Sequence, residues 1–143
     1  MEESQYNQKK DYFNDLVVEE GARNFNDLIV WQKAHKLVLE IYKMTKGFPK
    51  EESFGLTSQI RRAAVSVPAN IAEGFKRLGK ADKLRFYNIA QASLTEVRYF
   101  LILSSDLEYG NSISINNLSE EISKILEVYI LKIKKSPNPT SKE

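Results

Sequence analysis

The densest group of ionisable side chains in the sequence lies between residues 61 and 85. Seven bases occur there against two acids, Glu73 and Asp82. Gathered positive charge attracts phosphate, so these bases are candidate nucleic-acid contacts, although a charge run of this kind also serves as a plain solvated face. The candidates are Arg61, Arg62, Lys76, Arg77, Lys80, Lys83 and Arg85. The last five flank one chain reversal, whereas helix packing can claim Arg61 and Arg62.

Other residue types that carry chemistry are sparse. The chain has no cysteine and a single histidine, His35, so thiolate catalysis and Cys-ligated zinc are excluded and a Ser-His-Asp arrangement would depend on that one residue. A di-iron bundle needs Glu-x-x-His on two helices, which the sequence lacks, and its six glycines are too scattered for a phosphate loop. The sequence therefore predicts a protein that is not an enzyme and that uses no metal or cofactor.

The elements that must position the bases are four helical segments, with no convincing strand pattern. Apolar residues recur along each of them at the spacing of a helix face. Asn26 is the expected N-cap of the first helix, and Gly79 suits a C-terminal cap of the second. The predicted bounds are about 27–46, 53–77, 80–108 and, starting between 114 and 117, up to 135. Four long helices with short connections favour an all-α, antiparallel up-down-up-down four-helix bundle.

Composition divides the chain into three regions. Residues 1–24 carry six acids against three bases and show weak periodicity, which predicts an acidic extension that is disordered or contains a short helix. The predicted bundle occupies residues 25–135. Residues 136–143 contain two prolines and predict a disordered tail. Because no apolar run is long enough to span a bilayer and the start lacks a signal-peptide stretch, we expect a cytoplasmic protein without a membrane partner.

The second predicted helix shows three faces when it is projected at 100° per residue. An apolar stripe typical of a bundle core contains Leu56, Ile60, Ala64, Val67 and Ile71. A polar stripe contains Gln59, Arg62, Ser66, Asn70 and Glu73. A third face is small and apolar and contains Val65, Pro68, Ala69 and Ala72. A helix with two apolar faces usually has two burial partners, so we expect the third face to contact another copy of the chain. The alternative is that its alanines serve helix propensity.

Two features of this helix need a partner to explain them. Pro68 inside a helix costs about 3 kcal/mol, which packing on both sides could offset, and the bend it introduces suits a ring-like assembly. Arg62 and Glu73 lie about three turns apart on the polar stripe and cannot pair with each other. We therefore expect both to pair with groups on a neighbouring helix or subunit, where an ion pair would set the register. Arg62, Asn70 and Glu73 are all expected to be hydrogen-bonded and at least partly buried.

At these residues the sequence resembles a known family. QIRRAAVSVPANIAEGFKR at 59–77, together with WQKA, the FP at 48–49 and IAQASLTE in this order, is similar to the four-helix-bundle proteins associated with 23S rRNA intervening sequences, often labelled S23 ribosomal protein. The resemblance covers about residues 25–132. Two departures stand out: the family usually has glycine where this chain has Ala92, which would slightly loosen a close helix contact, and the acidic extension is longer than typical, which would add a partner-specific element.

The resemblance implies an antiparallel four-helix bundle that assembles into a homopentameric ring. It also implies a relationship to the accessory variability proteins of diversity-generating retroelements, which bind a reverse transcriptase and its template RNA. Two classes of function follow. One is an oligomeric RNA-binding protein that contacts phosphates with little sequence specificity and assists a reverse transcriptase or another RNA-handling partner. The other is a protein-binding scaffold with no nucleic-acid role.

Overall fold

Four α-helices account for most of the residues, 21–137, that the computed structural model describes. They are α1 (Ile29–Thr45), α2 (Leu56–Lys76), α3 (Lys80–Asp106) and α4 (Ile113–Lys135). A 3₁₀ turn, Phe25–Asp27, precedes α1, and another, Lys50–Glu52, lies between α1 and α2. No strand occurs within residues 21–137. The prediction of an all-helical chain with four long helices is confirmed.

The helices are arranged so that each packs on its neighbours in sequence and the last closes on the first. Contacts join α1 to α2, α2 to α3, α3 to α4 and α1 to α4. Neighbouring helices run antiparallel: Arg61 near the start of α2 bonds to Thr45 at the end of α1, and Gly74 near the end of α2 meets Tyr87 near the start of α3. This is the packing expected of an up-and-down bundle.

Local capping chemistry moves the helix starts away from the predicted bounds. Asn26 is not the N-cap of α1, because the 3₁₀ turn intervenes and the Asp27 carboxylate accepts hydrogen bonds from the backbone N–H groups of Arg23 and Asn24. Leu28 takes the N-cap position of α1. In α4 the N-cap is Ser112, whose hydroxyl accepts from the backbone of Ile115 at 3.3 Å.

Gly79 does not close α2 as predicted. Arg77 takes the C-cap position with extended backbone, and Gly79 is instead the N-cap of α3 with a φ of −79°. That angle is accessible to any residue, so this position does not require glycine.

The predicted apolar stripe of α2 lies in the core. Ile60, Ala64, Val67 and Ile71 are fully buried, and Leu56 is nearly so. Burial of each larger side chain stabilises the fold by about 1.5–3 kcal/mol. The helix continues unbroken through Pro68, which is also buried within the chain. Residues 1–20, most of the predicted extension, and 138–143 of the predicted tail lie outside the described residues.

Candidate nucleic-acid interface

The reversal between α2 and α3 brings five of the predicted bases to one end of the bundle. Only residues 77–79 separate the two helices, so Lys76 and Arg77 lie close to the first turns of α3. Lys80, Lys83 and Arg85 occupy those turns. The five bases therefore form one positively charged region, as their spacing predicted.

The C-terminus of α4 adds three more bases to this region. Lys132, Lys134 and Lys135 lie in the last turn of α4. The ammonium group of Lys80 donates hydrogen bonds to the carbonyl oxygens of Lys134 at 2.7 Å and Ser136 at 2.8 Å, which joins the start of α3 to the end of α4. We call this set the basic end; its eight bases are Lys76, Arg77, Lys80, Lys83, Arg85, Lys132, Lys134 and Lys135. Three acids lie at the same end: Glu73, Asp82 and, in the 3₁₀ turn before α1, Asp27.

Sequence reasoning missed the α4 lysines, although a signal for them exists. They occupy the last turn of the fourth predicted helix. In an antiparallel four-helix bundle that turn lies at the same end as the reversal between the second and third helices. The predicted topology and the charges of these residues together predict that the α4 lysines lie beside the α2–α3 reversal.

Two lysines of the basic end neutralise helix C-termini. Backbone carbonyls in the last turn of a helix lack partners within it and carry the negative end of the helix dipole. Lys80 serves α4 in this way. Lys83 serves α2, because its ammonium group donates to the carbonyls of Gly74 at 3.0 Å and Phe75 at 2.9 Å. Burial lowers the pKa of Lys83 below its ordinary value. These two cations hold the end of the bundle together.

Two arginines of the basic end share an aromatic ring. The guanidinium carbon of Arg77 lies 4.6 Å from the ring centroid of Phe86, and that of Arg85 lies 4.7 Å from it. Arg77 also pairs with Glu73 on its own helix at 3.3 Å, and Arg85 lies 3.9 Å from Asp82. Such cation–π contacts hold guanidinium groups at the surface without removing their charge. Lys76, Lys134 and Lys135 are exposed.

Arg61 and Arg62, the two candidate bases that helix packing was expected to compete for, do not join the basic end. They lie near the start of α2, about 22 Å along the helix from Lys76. Arg61 is engaged inside the chain: its Nε donates to the Thr45 hydroxyl at 2.8 Å, and its guanidinium lies 4.6 Å from the ring centroid of Tyr42. Contacts between α1 and α2 therefore hold the Arg61 side chain away from the basic end.

The polar stripe of α2 lies beside α3. The Ser66 and Ser93 hydroxyls are 2.8 Å apart, and the Asn70 amide donates to the carbonyl and hydroxyl of Ser66 at 2.7 and 2.9 Å. Arg62 is exposed and lines a groove with Gln59 and Glu96. Within one chain, Ser66 and Asn70 are hydrogen-bonded and half-buried. Gln59, Arg62 and Glu73 are exposed, and Glu73 pairs with Arg77 on its own helix.

The third face of α2 is partly covered by the chain itself. Pro68 is buried and Ala72 is half-buried, while Val65 and Ala69 are exposed. Pro68 therefore needs no second copy to bury it. The two exposed residues remain a small apolar area that a partner could cover.

Other chemistry finds no support among residues 21–137. They contain no group of three or more His, Asp or Glu side chains placed to hold a metal ion. His35 is exposed and stacks on Trp31 with a centroid distance of 5.1 Å. No helix in this part of the chain is both long and apolar enough to cross a membrane.

Comparison with known proteins connects this arrangement to a family. A family model described as 23S rRNA-intervening sequence protein matches residues 26–130, which span all of α1, α2 and α3 and most of α4. This chain belongs to that family. A search of curated proteins finds no match.

A solved structure supports the membership. It is a protein of unknown function from the S23 ribosomal protein family of Bacteroides thetaiotaomicron, 31% identical in sequence, with a TM-score of 0.66. The similarity covers 72% of this chain and 96% of that one. The family match covers the α2–α3 part of the basic end and stops at residue 130, before Lys132, Lys134 and Lys135. Ala92 is exposed on α3, so its departure from the family pattern is not expected to loosen packing inside one chain.

Proposed function

We propose that this protein is a non-enzymatic RNA-binding protein that acts as a homo-oligomer and contacts RNA phosphates through the basic end. The proposal rests on one observation: the lysines at the end of α4 lie beside the bases of the α2–α3 reversal. The hydrogen bond from Lys80 to the Lys134 carbonyl joins the two groups. Eight bases against three acids at one end give a positive potential that attracts a polyanion. The family description, which names a 23S rRNA intervening sequence, favours RNA over other polyanions.

The bases of the basic end differ in how freely they can contact phosphate. Lys80 and Lys83 each donate to two backbone carbonyls and so have fewer free donors for phosphate. The exposed Lys76, Lys134 and Lys135 are the better phosphate contacts. Arg77 and Arg85 sit on Phe86 and present guanidinium groups that can bind phosphate bidentately.

A homo-oligomer would present several copies of the basic end to one RNA molecule. The exposed Val65 and Ala69 of α2 support contact with a second copy, and the sequence resemblance favours a pentameric ring. Several basic ends in one assembly raise the apparent affinity without any new contact. A reverse transcriptase that handles a template RNA is the protein partner we propose, on the strength of the same resemblance.

The test is RNA binding measured by fluorescence anisotropy with a structured RNA between about 50 and 200 mM salt. Because phosphate binding releases counterions, the affinity should fall steeply over this range, by roughly a thousandfold or more for six to ten contacts. The variant changes exposed bases and spares the two lysines that hold the helix ends: Lys76, Arg85, Lys134 and Lys135, each to Gln. The RNA affinity of this variant should fall less steeply with salt concentration than that of wild type.

A matched control removes the same charge elsewhere. It changes four exposed lysines of α1 and of the α1–α2 connection to Gln, namely Lys36, Lys43, Lys46 and Lys50. We expect the control to keep most of the wild-type salt dependence. If the wild type binds no RNA at the lowest salt, or if both variants lose binding equally, the basic end is a solvated face and the scaffold function takes its place.

A further inference from the structure

The chain enters the bundle at the basic end. Arg61 in α2 bonds to Thr45 in α1, so Ile29, which precedes Thr45 by about as many residues as separate Arg61 from Arg77, lies roughly level with Arg77 in this antiparallel pair. The 3₁₀ turn Phe25–Asp27 packs against both α1 and α2. Residues 1–20 therefore join the described part of the protein beside the eight bases.

These twenty residues complement the basic end in charge. They contain six acids and two bases, Lys9 and Lys10, which gives a formal charge of −4. The opposite end of the bundle carries little net charge, since Lys43, Lys46, Lys50, Arg61 and Arg62 lie there with the acids Glu51, Glu52, Asp106 and Glu108. The acidic stretch is thus attached next to the end of the bundle that has the larger excess of positive charge.

The two partners also match in apolar character. Leu78 is 93% exposed in the α2–α3 reversal, and Leu131 near the end of α4 is 51% exposed. Covering these exposed leucines removes apolar surface from water, which is favourable. Within residues 1–20, apolar side chains alternate with acids: Tyr12 and Phe13 lie between Asp11 and Asp15, and Leu16, Val17 and Val18 lie between Asp15 and Glu19.

We propose that residues 1–20 dock on the basic end of their own chain and compete there with RNA. The reach is sufficient, because twenty residues span up to about 66 Å when extended and the helix ends to be covered are about 10 Å apart. The effect on RNA rests on the proposed function, whereas the docking itself does not. An RNA would have to displace the acidic segment, so the apparent affinity is reduced by the fraction of chains in which the basic end is open.

Docking is tested without RNA by carbodiimide cross-linking of the full chain, which joins carboxylates to lysine amines, followed by mass spectrometry. We expect links from Asp11, Asp15, Glu19 or Glu20 to Lys76, Lys134 or Lys135, at about 50 mM salt and not at about 1 M, where screening is strong. Lys46 and Lys50 at the opposite end serve as internal controls. Links to these controls at equal yield, no links at all, or links found only in covalent dimers would overturn the proposal; the last result would make a second copy the source of the segment.

Competition is tested with a full-length variant that carries Asp11→Asn, Asp15→Asn, Glu19→Gln and Glu20→Gln. It leaves residues 1–20 with no net charge, because Glu2 and Glu3 balance Lys9 and Lys10. The control variant neutralises four acids on the remote half of the bundle: Glu40, Glu51, Asp106 and Glu108.

At about 50 mM salt the first variant should bind RNA roughly tenfold more tightly than wild type, as expected if about one chain in ten is open, and the control less than about twofold more tightly. Equal gains in both variants would reduce the effect to net charge and overturn competition. If cross-links form but neither wild type nor variant binds RNA, the proposed function fails while the docking stands.

Discussion

Gly74 of α2 occupies a position that a larger residue cannot enter without a clash. A Cβ atom added there would lie 2.9, 3.0 and 3.2 Å from the Cε1, Cζ and Cδ1 atoms of Tyr87. Tyr87 is fully buried, and its ring meets that of Tyr129 edge-on with a centroid distance of 4.9 Å. The ring is confined on both sides and cannot move away from residue 74.

Gly74→Ala should therefore destabilise the protein although it replaces the poorer helix former. Alanine gains up to about 1 kcal/mol in helix propensity. An extra carbon in a packed core costs about 1–3 kcal/mol, and three ring atoms within 3.2 Å place this case in the upper part of that range. We expect a net loss of about 1–2 kcal/mol in the free energy of unfolding, measured by urea denaturation followed by far-ultraviolet circular dichroism.

The control and the refutation use the same assay. Gly47→Ala adds a Cβ whose nearest neighbour, the Met44 carbonyl oxygen, is 3.6 Å away, so its effect should stay within about 0.5 kcal/mol. In a Tyr87→Leu background the clashing ring atoms are absent, and Gly74→Ala should become neutral or stabilising. A loss of the same size in both backgrounds would show that the ring contact is not the cause.

Three further outcomes are expected. Light scattering at micromolar concentration should give a mass of several protomers, and Ala69→Glu should lower it while the helical circular dichroism is kept; a monodisperse wild-type monomer would refute the apolar contact on α2. Asn70→Ala should cost about 1 kcal/mol in unfolding free energy, because it removes the amide that bonds to Ser66, whereas the exposed Gln59→Ala should cost less than about 0.5. Burial, with a smaller contribution from Tyr129, raises the pKa of Tyr87. A phenol with a raised folded-state pKa contributes stability that is complete below its unfolded pKa of about 10 and is lost as the pH rises above that value. Above pH 10 the free energy of unfolding of wild type should therefore fall by up to about 1.4 kcal/mol per pH unit more than that of Tyr87→Phe. Chemical denaturation at each pH measures this difference.

The helices could be predicted from sequence because their signals are local. Apolar residues spaced three and four apart predicted all four helices. The apolar stripe from Leu56 to Ile71 correctly predicted the buried face of α2. Helix starts were harder to predict: Asn26 has the side chain of an N-cap, but the 3₁₀ turn Phe25–Asp27 moves the start of α1 to Leu28, which makes no side-chain cap. Gly79 shows the same limit: residue type suggested a cap for α2, but backbone geometry made it the N-cap of α3.

The sequence by itself therefore determined the helices, the core face of α2 and the five bases around the α2–α3 reversal. The tertiary structure decided which charges act together. Lys80 meets the Lys134 and Ser136 carbonyls across more than fifty residues of chain, and Arg61 turns to Thr45 on α1 and away from the bases that follow it on its own helix. Hydrophobic packing of the four apolar stripes sets the directions and rotations of the helices, and these determine the position of every charge on their outer faces.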